Sequence, residues 1–411
     1  MFDFKRYDMN KKPIKERWFL TPLAYALSFP SVWARKLKVK KTNMEGLNPP
    51  YILLCTHHAF IDFKVTTKAI FPHRATYVVA IDGFIKREWL LRNVGGICKR
   101  KFTNDITVFK HIKYTLENLN QISAIYPEAR YSLAGTQAIL PDSLGKMVKV
   151  LKKPLVVLNM HGNHLHQPVR NLRKRKVPLM AEMTQIISKE EISQLTVDQM
   201  NQRINDAFIY DEYLYQKQNK IKIKEPFRAE GLHRILYKCP ECLSEKMSSN
   251  LSEITCENCH QTWHLDVFGY LKAVNGETKF EHIPDWFSWQ KEVLKNEIAK
   301  GNYMFEDDVR IEALPNSKGY IPLGKGRLKH TMDGFELTFD PRHKVPPLVK
   351  PSLSMYGLHI EYDYFKKGDC IDLSTLDDTF YIYPLTKKNV VTKLHFATEI
   401  LYDIAKEKTK I

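Results

Sequence analysis

His57 and Asp62 stand five residues apart in "CTHHAFIDF", residues 55 to 63. An imidazole is suited to take and return a proton near neutral pH. A carboxylate on its other ring nitrogen fixes the tautomer and stabilises the imidazolium that forms. Such a pair can free a hydroxyl to attack an acyl carbon. The spacing alone is common in proteins; its setting is what counts. Before it, "YILLC" (Tyr51 to Cys55) reads as a buried strand. After it, "FIDFKVTTKAIF" reads as the start of a helix, whose first turn can reach back to the preceding imidazole. His58 reads as a structural neighbour of this pair.

A second set of residues has metal-ligand spacing. Cys239 and Cys242 lie in "CPEC", and Cys256 and Cys259 in "CENC", with thirteen residues between the pairs. Each C-x-x-C offers two thiolates on a tight knuckle, and two knuckles complete a tetrahedral all-sulfur Zn2+ site. A full sulfur shell leaves no open position, so the expected zinc is single and structural. Cys55, Cys98 and Cys370 read as packed thiols. This cysteine usage fits a reducing compartment rather than a disulfide framework. His161, His164 and His166 in "NMHGNHLHQ" lack a companion carboxylate or cysteine nearby in sequence, so they are read as structural.

The elements that must position these groups alternate in type. Apolar β-type runs appear at Tyr51–Cys55, Thr76–Ala80, Ile122–Tyr126, Leu155–Asn159 and Val177–Met183. Between them, Ile106, Phe109, Ile112 and Leu116 recur at helical intervals. The pattern predicts an α/β domain with a mixed, largely parallel sheet and flanking helices. In such sheets ligands gather at the carboxyl ends of strands, which is where "YILLC" runs into His57. Ser188-Lys-Glu-Glu191 reads as a capping box opening further helices. Beyond the cysteines lie many short β-type runs. One is a hairpin turning at Asp333-Gly334, and a helix near 388–407 closes the chain. A small β-rich domain capped by a helix, of pleckstrin-homology or GRAM type, is expected there.

Four segments follow: 1–48, basic and aromatic; 49–225, α/β; 226–275, zinc ribbon; 276–411, β-rich with its helix. The first contains "WFLTPLAYALSFPSVW" (Trp18 to Trp33), flanked by Lys and Arg. It is short for a membrane span, and Pro22 and Pro30 should break its helical continuity. Its aromatics and lysines fit the boundary of an anionic bilayer. The net charge of +17 is unevenly held: Lys and Arg outnumber Asp and Glu 38 to 19 in residues 1–225 and trail 25 to 27 beyond. "VRNLRKRK" (Val169 to Lys176) belongs to the basic part and reads as a solvated loop, or as a contact for headgroups or for an anionic acyl carrier.

Four stretches come in order: "CTHHAFID", "GGICKRKF" (Gly95 to Phe102), "IYPEARYS" (Ile125 to Ser132) and "KPLVVLN" (Lys153 to Asn159). Together they resemble the four motifs of the glycerolipid acyltransferases, the 1-acylglycerol-3-phosphate acyltransferase family, over roughly residues 20–215. The resemblance implies that His57 and Asp62 are the catalytic pair. It implies that Glu128, Arg130, Arg100 and Lys101 bind the acceptor's glycerol phosphate, and that the fourth stretch lies near the acyl donor. Thr56 stands where the family has Asn. "YPEARYS" places Ala129, Arg130 and Tyr131 where the family has Gly, Thr and Arg. The second motif's arginine aligns with Lys101, one residue past Arg100, and the fourth motif lacks its second proline.

Two functions compete. One is a membrane-associated acyltransferase that moves a fatty acyl group from acyl-coenzyme A or acyl-carrier protein to a lysophospholipid in phospholipid synthesis. It would sit peripherally or monotopically on the cytoplasmic side of a membrane with anionic lipids. The other is a basic zinc-ribbon protein that binds nucleic acid or anionic membranes without catalysis. A nucleic-acid-binding ribbon should itself be basic. The ribbon-bearing part is slightly acidic, so the enzyme is favoured and no nucleic-acid partner is expected.

Overall fold

Strands β1 (Lys38–Thr42), β2 (Ile52–Cys55), β3 (Ala75–Ala80), β4 (Ile97–Lys99), β5 (Ile122–Ile125), β6 (Leu155–His161) and β7 (Met180–Ile187) form one sheet in the order β1-β7-β6-β2-β5-β3-β4. Every neighbouring pair is parallel except β6 with β7. The central strand β2 is buried at all four residues, as a strand covered on both faces must be. On one face Leu53 and Cys55 pack with Ile61, Val65 and Ala69 of the Asp62–Ala69 helix and its entry. On the other, Ile52 and Leu54 pack with Ile112 and Leu116 of the Ile106–Glu117 helix, Val148 of Ser143–Leu151 and Ile204 of Val197–Ala207. The parallel runs of β2, β5 and β6 bring their following loops to one edge.

The computed structural model describes residues 2–409, and they fall into two units. The first comprises Asp8–Lys99 and Asn104–Asn219. The basic N-terminal stretch is therefore part of the α/β unit from Asp8 onward. Strand β1 pairs with β7, and Val32 is buried in the layer beside β2. The expected break at the two prolines does not occur: Thr21–Trp33 is one helix. Pro22 sits in its first turn, where a missing N–H costs nothing, and Pro30 falls near its end.

The second unit comprises the described residues up to Tyr7, Arg100–Thr103 and those from Lys220 onward. The cysteine-bearing segment and the β-rich segment thus fall in one unit, whose long stretch starts at Lys220. Strands β8 (Met247–Asn250), β9 (Glu253–Cys256), β10 (Thr262–Leu265) and β11 (Leu271–Ala273) make an antiparallel ribbon. Its neighbours are tied to the Ile283–Ala299 helix. Trp286 is fully buried and donates to the Lys238 carbonyl at 2.8 Å, while Gln290 accepts from the Tyr237 N–H and donates to the Ile235 carbonyl. Lys393 of the last helix, Val391–Lys408, reaches Glu245 at 2.7 Å.

The remaining strands form a second seven-stranded sheet, antiparallel throughout. They are β12 (Phe305–Ala313), β13 (Ile321–Thr331), β14 (Gly334–Thr338), β15 (Leu348–Pro351), β16 (His359–Glu361), β17 (Cys370–Ser374) and β18 (Thr379–Pro384). Their order is β15-β14-β13-β12-β18-β17-β16. The expected hairpin is β13–β14, with Thr331 opposite Gly334. The last helix packs against β16 and the Ser352–Ser354 turn, burying Leu394, Ala397 and Leu401.

Candidate active site

Where β2 ends, Thr56 extends the pairing with β6. Its N–H donates to the Leu158 carbonyl and its Oγ1 accepts from the Met160 N–H at 3.0 Å. The chain then leaves the sheet at His57. The loop after β5 holds that residue's backbone at both ends: the His57 N–H donates to Glu128 Oε2 at 2.8 Å, and its carbonyl accepts from the Ser132 N–H at 2.7 Å. The imidazole lies between the rings of Tyr126 and Tyr131, with centroids 4.4 and 4.3 Å away. Burial raises the Tyr126 phenol well above its ordinary pKa, so it stays neutral.

His57 Nδ1 meets Asp62 Oδ2 at 3.0 Å, and the ring remains 23% exposed. Asp62 is buried in the first turn of its helix, where a negative charge is favoured. Its Oδ2 also accepts from the His58 and Ala59 N–H groups at 2.6 and 2.9 Å. The side chain of Asn163, a residue that sequence reasoning passed over, donates to Oδ1 at 2.8 Å. The expected pair therefore meets, with Nε2 left as the nitrogen not engaged by Asp62.

The four expected acceptor-binding residues are placed differently. Glu128 is 1% exposed: its Oε1 accepts from the Ala138 N–H and the Tyr210 hydroxyl, both at 2.9 Å. With Oε2 on the His57 N–H, both oxygens are engaged inside the protein, so Glu128 shapes the His57 loop rather than facing a substrate. Burial and the Glu128 charge raise the Tyr210 phenol well above its ordinary pKa, keeping it a donor. Ala129 adopts φ +57°, the left-handed conformation a glycine takes more easily. Arg130 is buried in this same loop, where its Nη1 lies 3.4 Å from the Tyr131 carbonyl it donates to.

Arg100 and Lys101 belong to the second unit. Arg100 is 1% exposed. Its Nη1 donates to the Leu314 carbonyl and Thr379 Oγ1 at 2.9 and 3.0 Å, and Nη2 donates to the Pro315 carbonyl at 2.8 Å. Lys101 lies 3.6 Å from Asp372, which also pairs with His359 at 2.8 Å. Within that unit, buried carbonyls hold Arg100 and a buried carboxylate pairs with Lys101, partners the expected acceptor-binding role did not foresee. Arg100→Ala should accordingly destabilise the second unit, by roughly 1–3 kcal/mol for each buried acceptor left without a donor. A thermal melt that drops by several degrees would show this. An unchanged melt with only a raised KM for the acceptor would contradict it.

The four cysteines of the ribbon converge. Their sulfurs all lie within 4.8 Å of one another, with Cys239–Cys259 at 3.7 Å and Cys242–Cys256 at 3.6 Å. Four Zn–S bonds of about 2.3 Å require tetrahedral edges of about 3.8 Å, so the set is compatible with zinc. The Ser244 backbone N–H lowers the Cys242 thiol to about 6, while burial raises the thiols of Cys239 and Cys259. Among the described residues no other such cluster occurs. His164 and His166 are buried, and burial lowers both, His164 well below its ordinary value. His161 Nδ1 pairs with the buried Glu212 at 3.2 Å; burial opposes its charge, but Glu212 and Glu182 together outweigh that and its pKa is raised. That partner, fifty-one residues away, left no signal in the local sequence.

No family model and no curated protein matches the chain. Among solved structures, the 1-acyl-sn-glycerophosphate (LPA) acyltransferase of Thermotoga maritima is weakly similar, at TM-score 0.37 and 12% identity, over 46% of this chain and 77% of that one.

Proposed function

We propose that this chain is a membrane-associated acyltransferase. It moves a fatty acyl group from an acyl thioester, acyl-coenzyme A or acyl-carrier protein, to the hydroxyl of a lysophospholipid of the 1-acylglycerol-3-phosphate type. The observation that carries the reading is the His57–Asp62 pair: an imidazole still partly exposed at the carboxyl edge of the sheet, braced by a buried carboxylate that accepts four hydrogen bonds. His57 Nε2 takes the proton of the acceptor hydroxyl as its oxygen attacks the thioester carbon. The tetrahedral intermediate then collapses, the C–S bond breaks, and the imidazolium returns the proton to the departing sulfur. Asp62 holds the ring through this cycle. Arg130 lies on the loop that carries Tyr131, next to the His57 ring.

The test is acyl transfer by the purified protein to a panel of lysolipids, with each donor. The reading expects an ester product with at least one pair, and a thiol released in equal amount. A protein that hydrolyses the donor or leaves it intact, whatever the acceptor, would exclude it.

Membrane association is supported by apolar side chains that remain in solvent along the Thr21–Trp33 helix, in the Trp18–Leu20 turn before it and after His57. Trp18 is 83% exposed, Leu27 62% and Trp33 59%, and Phe60, three residues past His57, is 62% exposed. Lys68 adds a cation over Phe29 and Trp33. Among the described residues no helix is long and apolar enough to cross a membrane. Side chains of this kind bury at the headgroup boundary instead. Placing Glu at both Trp18 and Leu27 should weaken sedimentation with anionic vesicles roughly tenfold or more, since each loses the ~2 kcal/mol that burying a large apolar side chain contributes. Undiminished sedimentation would move the docking surface elsewhere.

A further inference from the structure

We infer that Asn163 is a third, positioning member of the catalytic group: its amide locks Asp62 so that Asp62 can orient His57. The inference rests on the acyltransferase reading for its function, but its geometry stands apart from it. Asn163 and Asp62 are both buried, 101 residues apart in sequence, and joined at 2.8 Å. The other three donors to Asp62, the His57 ring and the His58 and Ala59 N–H groups, all meet Oδ2. Asn163 instead meets Oδ1 and holds the carboxylate against rotation about its Cβ–Cγ bond. Chemistry fixes which end of the amide faces Asp62. The carbonyl end would oppose acceptor to acceptor, so the NH2 end must donate.

The turn that delivers Asn163 is built for this position. Gly162 takes φ +84°, and a Cβ there would meet the Pro178 carbonyl at 2.4 Å. The Asn163–His166 turn follows directly, closed by the His166 N–H on the Gly162 carbonyl. Glu212 Oε2 accepts from the Gly162 N–H at 2.7 Å. The bond thus ties the end of β6 to the first turn of the helix after His57. Two neighbouring parallel strands, β2 and β6, together aim the base. Asn163 touches no reacting atom, so it acts only through Asp62.

The test uses Asn163→Ser, which removes the amide yet leaves a small polar group, in the full-length protein. Misplacing a catalytic group by about 1 Å can lower turnover ~100-fold. We therefore expect kcat to fall ~10-fold or more with KM values for donor and acceptor within about threefold. In an Asp62→Asn background the same change should cost less than about twofold, because the group it acts through is already disabled. A second readout needs no turnover. Nitrogen-15 spectra of labelled histidine, assigned with His57→Ala, should show the His57 Nδ1–H tautomer in the parent protein and a mixture in Asn163→Ser. The inference is overturned if folded Asn163→Ser keeps the parent kcat and tautomer, or if its loss is confined to KM. It is also overturned if the loss is just as large in the Asp62→Asn background. Should the parent protein transfer no acyl group to any acceptor, the enzymatic reading falls. The tautomer spectra would still decide whether Asn163 positions His57 through Asp62.

Discussion

His57→Ala should abolish acyl transfer, with kcat/KM lower by ~100-fold or more, the contribution expected of a general base, in a protein that melts close to its parent. The two halves of this result have separate grounds. The loss follows from the proposed mechanism, in which the His57 imidazole is the base that takes the hydroxyl's proton. Asp62 cannot replace it, being buried and turned inward towards four donors. Near-parent stability follows because three of those donors, the His58 and Ala59 N–H groups and Asn163, remain after the ring is gone. The backbone bonds of residue 57 to Glu128 and Ser132 do not depend on its side chain. Asp62→Ala should behave differently. It strands buried donors, at roughly 1–3 kcal/mol each, so it should lose stability as well as turnover. Comparing rates and melts of the two variants checks both statements. A folded His57→Ala protein that still turns over would remove this mechanism.

The pair was legible in the sequence because its parts are local. A four-residue apolar strand, a short loop and a helical first turn leave few ways for an imidazole and a carboxylate five residues apart to be arranged. The parallel sheet was legible for a similar reason, since alternating apolar runs and amphipathic helices have few packings. The cysteine knuckles carried their own geometry in their spacing. What was not legible depended on which distant groups compete for a side chain. Arg100 looks like a phosphate ligand until the Leu314 and Pro315 carbonyls and Thr379, more than 200 residues later, claim its guanidinium. Glu128 looks like a substrate ligand until Tyr210 and the Ala138 N–H fill its second oxygen. Asn163 carried no signal, because an isolated Asn after a strand reads as a turn residue. Thr21–Trp33 was misread for a different reason: two prolines suggest a broken helix, but one stands in the first turn and the other near the end.

The second large effect concerns the metal. One Zn2+ per chain should be bound by Cys239, Cys242, Cys256 and Cys259, and X-ray absorption should show four sulfurs at about 2.3 Å. Its loss should act on folding. In small zinc modules the metal supplies about 10–16 kcal/mol of apparent folding free energy, comparable to the whole stability of a domain at roughly 5–15 kcal/mol. Here the ribbon is bonded into its unit rather than hung beside it. Trp286 and Gln290 tie the chain before Cys239 to one helix, and Lys393 ties Glu245, three residues after Cys242, to the last helix. That last helix packs against β16. Unfolding of the knuckles should therefore spread into the β-rich part instead of remaining local. Cys256→Ser, or extended chelation, should lower the melting temperature by ten degrees or more, on the scale where ~1 kcal/mol moves a mid-sized domain ~2–4 °C. Acyl transfer measured promptly at low temperature should survive, because His57, Asp62 and Asn163 all lie in the other unit. Metal analysis that finds no zinc would exclude the site. A Cys256→Ser protein with a parent-like melt would show that the cluster holds nothing together. Turnover lost at once on chelation, with the melt unchanged, would mean that the metal takes part in the chemistry.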